Sequence, residues 1–282
     1  MEYFKRMQSN SFGNNLYKGI TKRIKRIFGD ESNKTGLNWF KEKYLKHAAT
    51  GAIRSYSYKD KKIFFTSPAE FLHTFREIFG NEIYKAELPE NAYIIDCGAN
   101  IGLGTLYLKE ICPSARIIAF EPDKKNYELL IRNVETNKLQ HVTCREEAVW
   151  IEDTTLNFSS EGTMGSKIDT SQSESAHSVK AVRLKNFLTQ KVDLLKIDIE
   201  GAEYQVLKDI APELLNVNQL FLEYHGKFEQ MHELTEIFVL LQNQGFKYYI
   251  QEAAHVYQSP FMARRVEPKP PYDIQLNIFC TR

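Results

Sequence analysis

Tyr93-Ile94-Ile95-Asp96-Cys97-Gly98-Ala99-Asn100-Ile101-Gly102-Leu103-Gly104 is the stretch whose reading decides the fold. Its first half is a short apolar run of the kind that fills a buried strand, and it ends in the carboxylate of Asp96. Its second half is a glycine-rich turn that leads into a helical pattern. Another apolar run, Arg116-Ile117-Ile118-Ala119-Phe120, follows and ends in Glu121. Two neighbouring strands thus finish in acids, with permissive main chain between them.

Outward from this stretch, strands and helices alternate to the end of the chain. Strands are predicted at 93–97, 115–120, 141–149, 192–199 and 218–224, and terminal strands at 246–251 and 274–280. Helices are predicted at 103–111, 123–137, 202–210 and 229–244. Such alternation gives a mostly parallel sheet with helices on both faces. Ligands of open α/β sheets sit beyond the carboxyl ends of the strands, so the residues just after each strand carry the interest.

Ahead of this region, Ile53 to Tyr58 and Lys61 to Thr66 read as a hairpin through Lys59-Asp60. Ser67-Pro68-Ala69-Glu70 then reads as a capped helix start. Residues 1–50 are basic and helical in pattern. Residues 1–30 hold seven Lys or Arg against two acids, and Leu16, Ile20, Ile24, Ile27 and Phe28 form one apolar stripe. That stripe, within 16–28, either packs on the protein or lies on an anionic membrane surface. Three parts are therefore expected: an extension at 1–50, a hairpin and helix at 51–90, and the main domain at 91–282.

Composition narrows the function. Hydrophobic content of 43% with 26% charged residues is ordinary for a folded protein. A formal net charge of +1 gives no field suited to nucleic acid as the main partner. The four cysteines, Cys97, Cys112, Cys144 and Cys280, form no zinc pattern. With no apolar leader and no membrane-length run, a cytoplasmic location is expected, membrane-peripheral if the 16–28 stripe meets lipid.

The strand ends carry the chemistry. Gly98 and Gly102 let the backbone approach a ligand without a Cβ in the way. Asp96 can hold the turn or meet the charged amino end of a ligand. Glu121 can accept bonds from both hydroxyls of a ribose, or cap the next helix, a job for which Asp123 is better placed. Glu146 and Glu147, near the end of the third strand, either approach an adenine amino group or decorate a solvated rim. A ligand with a ribose and a positive charge, S-adenosylmethionine, suits this set. A nicotinamide dinucleotide also uses a glycine turn and a downstream acid, but the G-x-G-x-x-G register fails at Asn100 counted from Gly98 and at Tyr107 counted from Gly102.

In Leu195-Lys196-Ile197-Asp198-Ile199-Glu200-Gly201-Ala202-Glu203, alternation puts Lys196, Asp198 and Glu200 on one face. Charged groups on a central strand need a local reason: either loop-steadying ion pairs or a reaction site. In Leu222-Glu223-Tyr224-His225, Glu223 and His225 share a face. His225 either takes a proton from a hydroxyl, oriented by Glu223 or Asp198, or is an ordinary hydrogen-bonding residue. Asp198, Glu200, Glu223 and His225 suit a divalent ion by ligand type, but their spacing is not that of a metal motif, and no metal is expected.

Taken together, Asp96-x-Gly98-Ala99-Asn100-Ile101-Gly102, Ala119-Phe120-Glu121-Pro122 and Leu195 to Glu203 resemble the FkbM-type family of S-adenosylmethionine-dependent methyltransferases, over about residues 54–280. The resemblance implies a Rossmann-like methyltransferase fold, with seven strands and the last one antiparallel between the fifth and sixth. It implies methyl transfer to an oxygen, often a hydroxyl of a sugar or secondary metabolite. The resulting expectation is a cofactor set of Asp96, Gly98, Asn100, Gly102, Glu121 and Glu147, and a catalytic set of Asp198, His225, Glu223 and Lys196. A small-molecule or glycan acceptor is expected; a dinucleotide oxidoreductase or a non-catalytic adenosyl-binding module is the rival reading.

Overall fold

The computed structural model of the protein describes residues 34–158 and 177–282. The 16–28 stripe lies outside the described residues. The chain divides into two compact units between Lys85 and Ala86.

The described part of the first unit starts with α1 (Trp39–Lys46), whose Asn38 cap accepts a bond from the Lys41 amide at 2.9 Å. The predicted hairpin is present as β1 (Arg54–Tyr58) and β2 (Lys61–Phe65), paired antiparallel. Next, α2 (Pro68–Phe75) runs into a π-helical segment, Arg76–Gly80, and the expected side-chain cap from Ser67 is not made. Phe71, Phe75 and Phe79 recur every fourth residue and so lie on one stripe. Phe65 stacks on Phe71 at 4.1 Å between ring centres, and Phe75 on Phe79 at 4.7 Å. Aromatic stacking of this kind contributes roughly 0.5–1.5 kcal/mol per pair beyond burial.

The second unit is built on β3 (Tyr93–Cys97), α3 (Leu103–Ile111), β4 (Arg116–Phe120), α4 (Lys124–Thr136) and β5 (Val142–Arg145). A side sheet follows, from β6 (Ala148–Trp150), β7 (Thr154–Phe158) and β8 (His177–Arg183). The chain returns through β9 (Val192–Ile197), α5 (Glu203–Asp209), β10 (Val217–Gly226) and α6 (Met231–Asn243), and closes with β11 (Lys247–Glu252) and β12 (Ile274–Thr281). The main sheet has seven strands in the order β11-β12-β10-β9-β3-β4-β5. Strands β3, β4, β5, β9 and β10 run parallel, while β12 is antiparallel to both neighbours and lies between the fifth and sixth strands. That is the arrangement the motifs imply.

All five residues of β3 are buried, as a central parallel strand requires. Ile95, Leu195, Ile197, Leu220 and Leu222 join Val206 and Leu207 of α5 and Ile237 and Leu241 of α6 in one core. The opposite face carries Asp96, which meets Thr105 of α3. Burying an isoleucine such as Ile95, 0% exposed, stabilises the fold by roughly 1.5–3 kcal/mol.

One strand differs from expectation. The predicted strand 141–149 is two strands, β5 in the main sheet and β6 in the side sheet, separated by Glu146-Glu147. The break follows from Glu147, whose buried carboxylate is held by Arg145 and by Lys180 of β8, so the chain leaves one sheet for the other. Among the described residues, no helix is long and apolar enough to cross a membrane.

Candidate functional site

The tips of β3 and β9 are locked together by a buried ion pair. Asp96, 0% exposed, accepts a bond from Thr105 Oγ1 at 3.0 Å and faces the Lys196 ammonium at 3.2 Å. That ammonium lies off the hydrogen-bonding direction of Asp96 Oδ1, which has no directed partner among the described residues. Its directed bonds go to the carbonyls of Gly98, at 2.8 Å, and Cys97, at 3.4 Å. Lys196 therefore neutralises Asp96 and fixes the carbonyls of the glycine turn. Both side chains are enclosed (4% and 0% exposed), so they act on the turn from beneath.

Gly98 sits at φ +81°, and a Cβ placed there would lie 1.8 Å from the carbonyl oxygen of Asp198. Glycine is thus required on two counts: its left-handed backbone and the contact between two loops. The next residues wrap over the end of β4. Gly98 and Ala99 amides donate to Phe120 O at 3.0 and 2.8 Å, and Asn100, at φ +51°, donates its amide to Glu121 at 2.7 Å. Gly102 begins α3 at φ +86°.

Glu121 is 6% exposed. One carboxylate oxygen takes the Asn100 amide and the other takes the Asp123 amide at 2.9 Å, which leaves a lone pair on each for a ligand. Burial raises its pKa to about 7, although both amide bonds oppose the shift. Helix capping falls to Asp123, which accepts from the Asn126 amide at 2.9 Å, as the sequence suggested. Glu147 is placed differently from the expected adenine contact. Its two oxygens are taken by Arg145 at 2.5 Å and Lys180 at 2.6 Å, while Glu146 is exposed. Desolvation works against ionisation of Glu147, yet these two cations hold its pKa below the usual carboxylate value.

Across the sheet, the β9 loop carries the second group. Asp198 donates its amide to Cys97 O at 3.1 Å, which extends the β3–β9 pairing by one residue. Lys196 meets Asp198 Oδ2 at 3.4 Å. Glu200, at φ +56°, and Gly201, at φ +95°, turn the chain toward α5. Glu203, the first residue of that helix and 0% exposed, gathers the loop: Ile199 and Gly201 amides donate to it at 3.2 and 3.0 Å.

The same Glu203 oxygen lies 3.0 Å from His225 Nδ1, and since an ionised carboxylate only accepts, Nδ1 donates. His225 is therefore oriented by Glu203 and not by Glu223 or Asp198 as the sequence suggested. Burial lowers the pKa of His225, but the Glu203 bond and the charges of Glu203, Asp198 and Glu200 outweigh it and push it up to about 9. At neutral pH the imidazole thus already carries its proton in the free protein. Its Nε2 looks at Glu223, at 3.7 Å, and Glu200, at 3.9 Å. Tyr272 completes the cluster, its ring 4.9 Å from that of His225 and its hydroxyl donating to Glu200 O at 2.6 Å.

The fold thus unites Asp198, Glu200, Glu223 and His225, and separately Gly98, Asn100 and Glu121. It uses Asp96 and Lys196 as the joint between them, and it leaves Glu147 in an ion-pair network with β8. Sequence reading passed over Glu203 and Tyr272. Glu203 stood inside the quoted motif, but its role depends on a histidine 22 positions away. Tyr272 follows the Pro270-Pro271 step and gave no signal.

Comparisons with known proteins give the family of the chain. The family model described as "Methyltransferase FkbM domain" matches residues 96–248, narrower than the 54–280 span of the expected likeness. "Methyltransferase 1" of Beauveria bassiana (strain ARSEF 2860) is 32% identical over 171 residues, covering 51% of this chain and 68% of that protein. "Methyltransferase sdnD" of Sordaria araneosa is 30% identical over 217 residues, covering 63% of this chain and 82% of that one. A crystal structure of methyltransferase FkbM from Methylobacillus flagellatus KT aligns with a TM-score of 0.46 at 14% identity, over 70% of this chain and 45% of that one. The chain belongs to the FkbM methyltransferase family. It is a methyltransferase, its cofactor is S-adenosylmethionine, and the dinucleotide reading is set aside. The residues fit that cofactor: the left-handed Gly98 and Gly102 shape a side-chain-free turn at the end of β3, and Glu121 offers a buried carboxylate whose two printed bonds leave acceptor capacity on each oxygen.

Proposed function

We propose that this member of the FkbM family methylates a hydroxyl oxygen of a small-molecule or glycan acceptor, held over the carboxyl ends of β3, β9 and β10. The observation that carries the reading is the contact of Gly98 with the Asp198 carbonyl, which abuts the adenosyl-binding turn on the polar cluster of Asp198, Glu200, Glu223 and His225. When bound, S-adenosylmethionine supplies a methyl group already activated on a sulfonium. The protein's task is alignment, and holding two reactants in line replaces a bimolecular encounter.

Glu121 accepts the ribose hydroxyls, and the Gly98–Gly102 turn lies along the cofactor. Asp96 and Lys196 keep that turn rigid and touch neither reactant. Asp198 and Glu200 face the acceptor and accept its hydroxyl hydrogen bond. A cluster of three carboxylates, Asp198, Glu200 and Glu223, favours neutral hydroxylated acceptors over acidic ones, which speaks for a sugar or secondary metabolite and against the nucleic-acid backbone. Glu203 positions His225 through Nδ1.

The test is transfer of a labelled methyl from S-adenosylmethionine to a panel of hydroxylated metabolites and glycans. Asp198→Asn should lower turnover by roughly 10²–10⁴-fold, and His225→Ala, which removes the cation beside the carboxylates, should lower it as well, while S-adenosylhomocysteine still binds. Full turnover in both variants refutes the assignment. Binding of S-adenosylhomocysteine without transfer to any hydroxyl would favour the adenosyl-binding module instead.

A further inference from the structure

Three ligand-type atoms converge at the carboxyl end of β9 and β10. One from each of Asp198, Glu200 and His225 lies within 4.8 Å of the others. Carboxylates gather at protein surfaces without binding ions, so the convergence alone decides nothing. The decisive feature is the imidazole. His225 is 7% exposed, its Nδ1 is tied to Glu203 at 3.0 Å, and its Nε2 makes no hydrogen bond among the described residues. Instead Nε2 is aimed at carboxylate oxygens, Glu223 at 3.7 Å and Glu200 at 3.9 Å. A carboxylate on the far nitrogen, fixing ring orientation and presenting the near nitrogen outward, is how proteins prepare a histidine for a metal.

One neighbour adds to this. Asn277 of β12 pairs directly with Glu223 across the antiparallel ladder, so the two share a face. Asn277 is 3% exposed and its side-chain oxygen has no partner among the described residues. A buried oxygen acceptor beside the cluster leaves that face short of a donor or cation.

We propose that Asp198, Glu200 and His225 form a binding site for a divalent transition cation. Two carboxylate oxygens and one imidazole nitrogen suit Mn²⁺ or Zn²⁺ better than the all-oxygen preference of Ca²⁺ or Mg²⁺. Glu203 is a positioning residue for this site, and cation entry displaces the proton from Nε2. Resting on the reading of the site as a hydroxyl methyltransferase, the ion's role is to take the acceptor oxygen as a further ligand. A hydroxyl so bound gives up its proton to water more easily. The methyl then passes from sulfur to oxygen: the S–C bond breaks as the O–C bond forms, and neutral S-adenosylhomocysteine leaves.

The experiment titrates Mn²⁺ into the purified full-length chain freed of metal, following the loss of the free-ion paramagnetic resonance signal. A parallel titration uses Zn²⁺ with a chromogenic chelator, and S-adenosylhomocysteine binding is measured calorimetrically on every sample. The expected result is one saturable ion per chain. Glu200→Gln, at a side chain more than half exposed and so safe for folding, should weaken it at least tenfold, as should Asp198→Asn. Glu203→Gln should weaken it by roughly 10–100-fold without supplying or removing a ligand. S-adenosylhomocysteine affinity should stay within about twofold throughout. A chain that binds S-adenosylhomocysteine but neither ion overturns the proposal, as does metal binding unchanged in Glu200→Gln and Asp198→Asn. Loss of S-adenosylhomocysteine binding with metal binding intact would refute the cofactor reading alone.

Discussion

The proposed role of Glu121 as the ribose acceptor predicts a measurable pH effect. Its carboxylate is buried, holds two backbone amides, and carries a pKa of about 7 in the free protein. The charged groups bearing on it are Asp123, which raises the value, and Lys196, which lowers it; desolvation dominates both. Ribose hydroxyls donate, so only the ionised carboxylate can receive two of them. With a pKa of about 7, roughly one molecule in eleven is ionised at pH 6 and ten in eleven at pH 8. Affinity for an adenosyl ligand should therefore improve about tenfold between those values, with release of a proton. The ligand of choice is 5′-methylthioadenosine, which keeps the adenosine and thioether but lacks the titrating amino acid. Calorimetry in buffers of different ionisation enthalpy would give both the affinity and the proton count. Glu121→Gln should bind more weakly and without the slope. A flat affinity from pH 6 to 8 in the wild type, or the same slope in Glu121→Gln, refutes the reasoning.

The same group makes a prediction about the fold. An acid whose folded pKa rises from the ordinary 4.5 to about 7 binds its proton more tightly in the native state. Its contribution is fully present below 4.5 and is lost as pH rises through 7, a change of about 3 kcal/mol. Glu121→Gln should flatten that part of the stability profile in denaturant titrations. Gly98→Ala should cost more than about 3 kcal/mol, because its methyl meets backbone at 1.8 Å, whereas Gly102→Ala meets only the tip of Leu130 at 2.7 Å and should cost less; equal melting temperatures would contradict this. Lys196→Met leaves the buried Asp96 carboxyl without its cation, at a cost of roughly 3–5 kcal/mol, and Asp96→Asn added to it should recover much of that loss in chemical denaturation. Tyr272→Phe removes the bond to Glu200 O, worth about 1 kcal/mol, and should raise the acceptor KM more than it lowers kcat.

What the sequence determined by itself was whatever local pattern encodes. Alternating apolar runs and helical stripes specified a parallel sheet, since burial on both faces leaves no other use for Tyr93–Cys97 and Arg116–Phe120. The turn at Gly98 and the acid at Glu121 were legible because backbone freedom and strand-end position are properties of neighbours in the chain. Tertiary structure decided the rest. Lys196 looked catalytic until the fold placed Asp96 and two turn carbonyls around its ammonium. Glu147 looked like a ligand contact until β8 brought Lys180 against it. Glu203 became the partner of His225 only when the start of α5 met the end of β10. Asp198 and Glu200 are near neighbours in the chain but His225 is distant and the three lack a metal motif, yet their ligand atoms meet because parallel strands deliver all their carboxyl ends to one edge of the sheet.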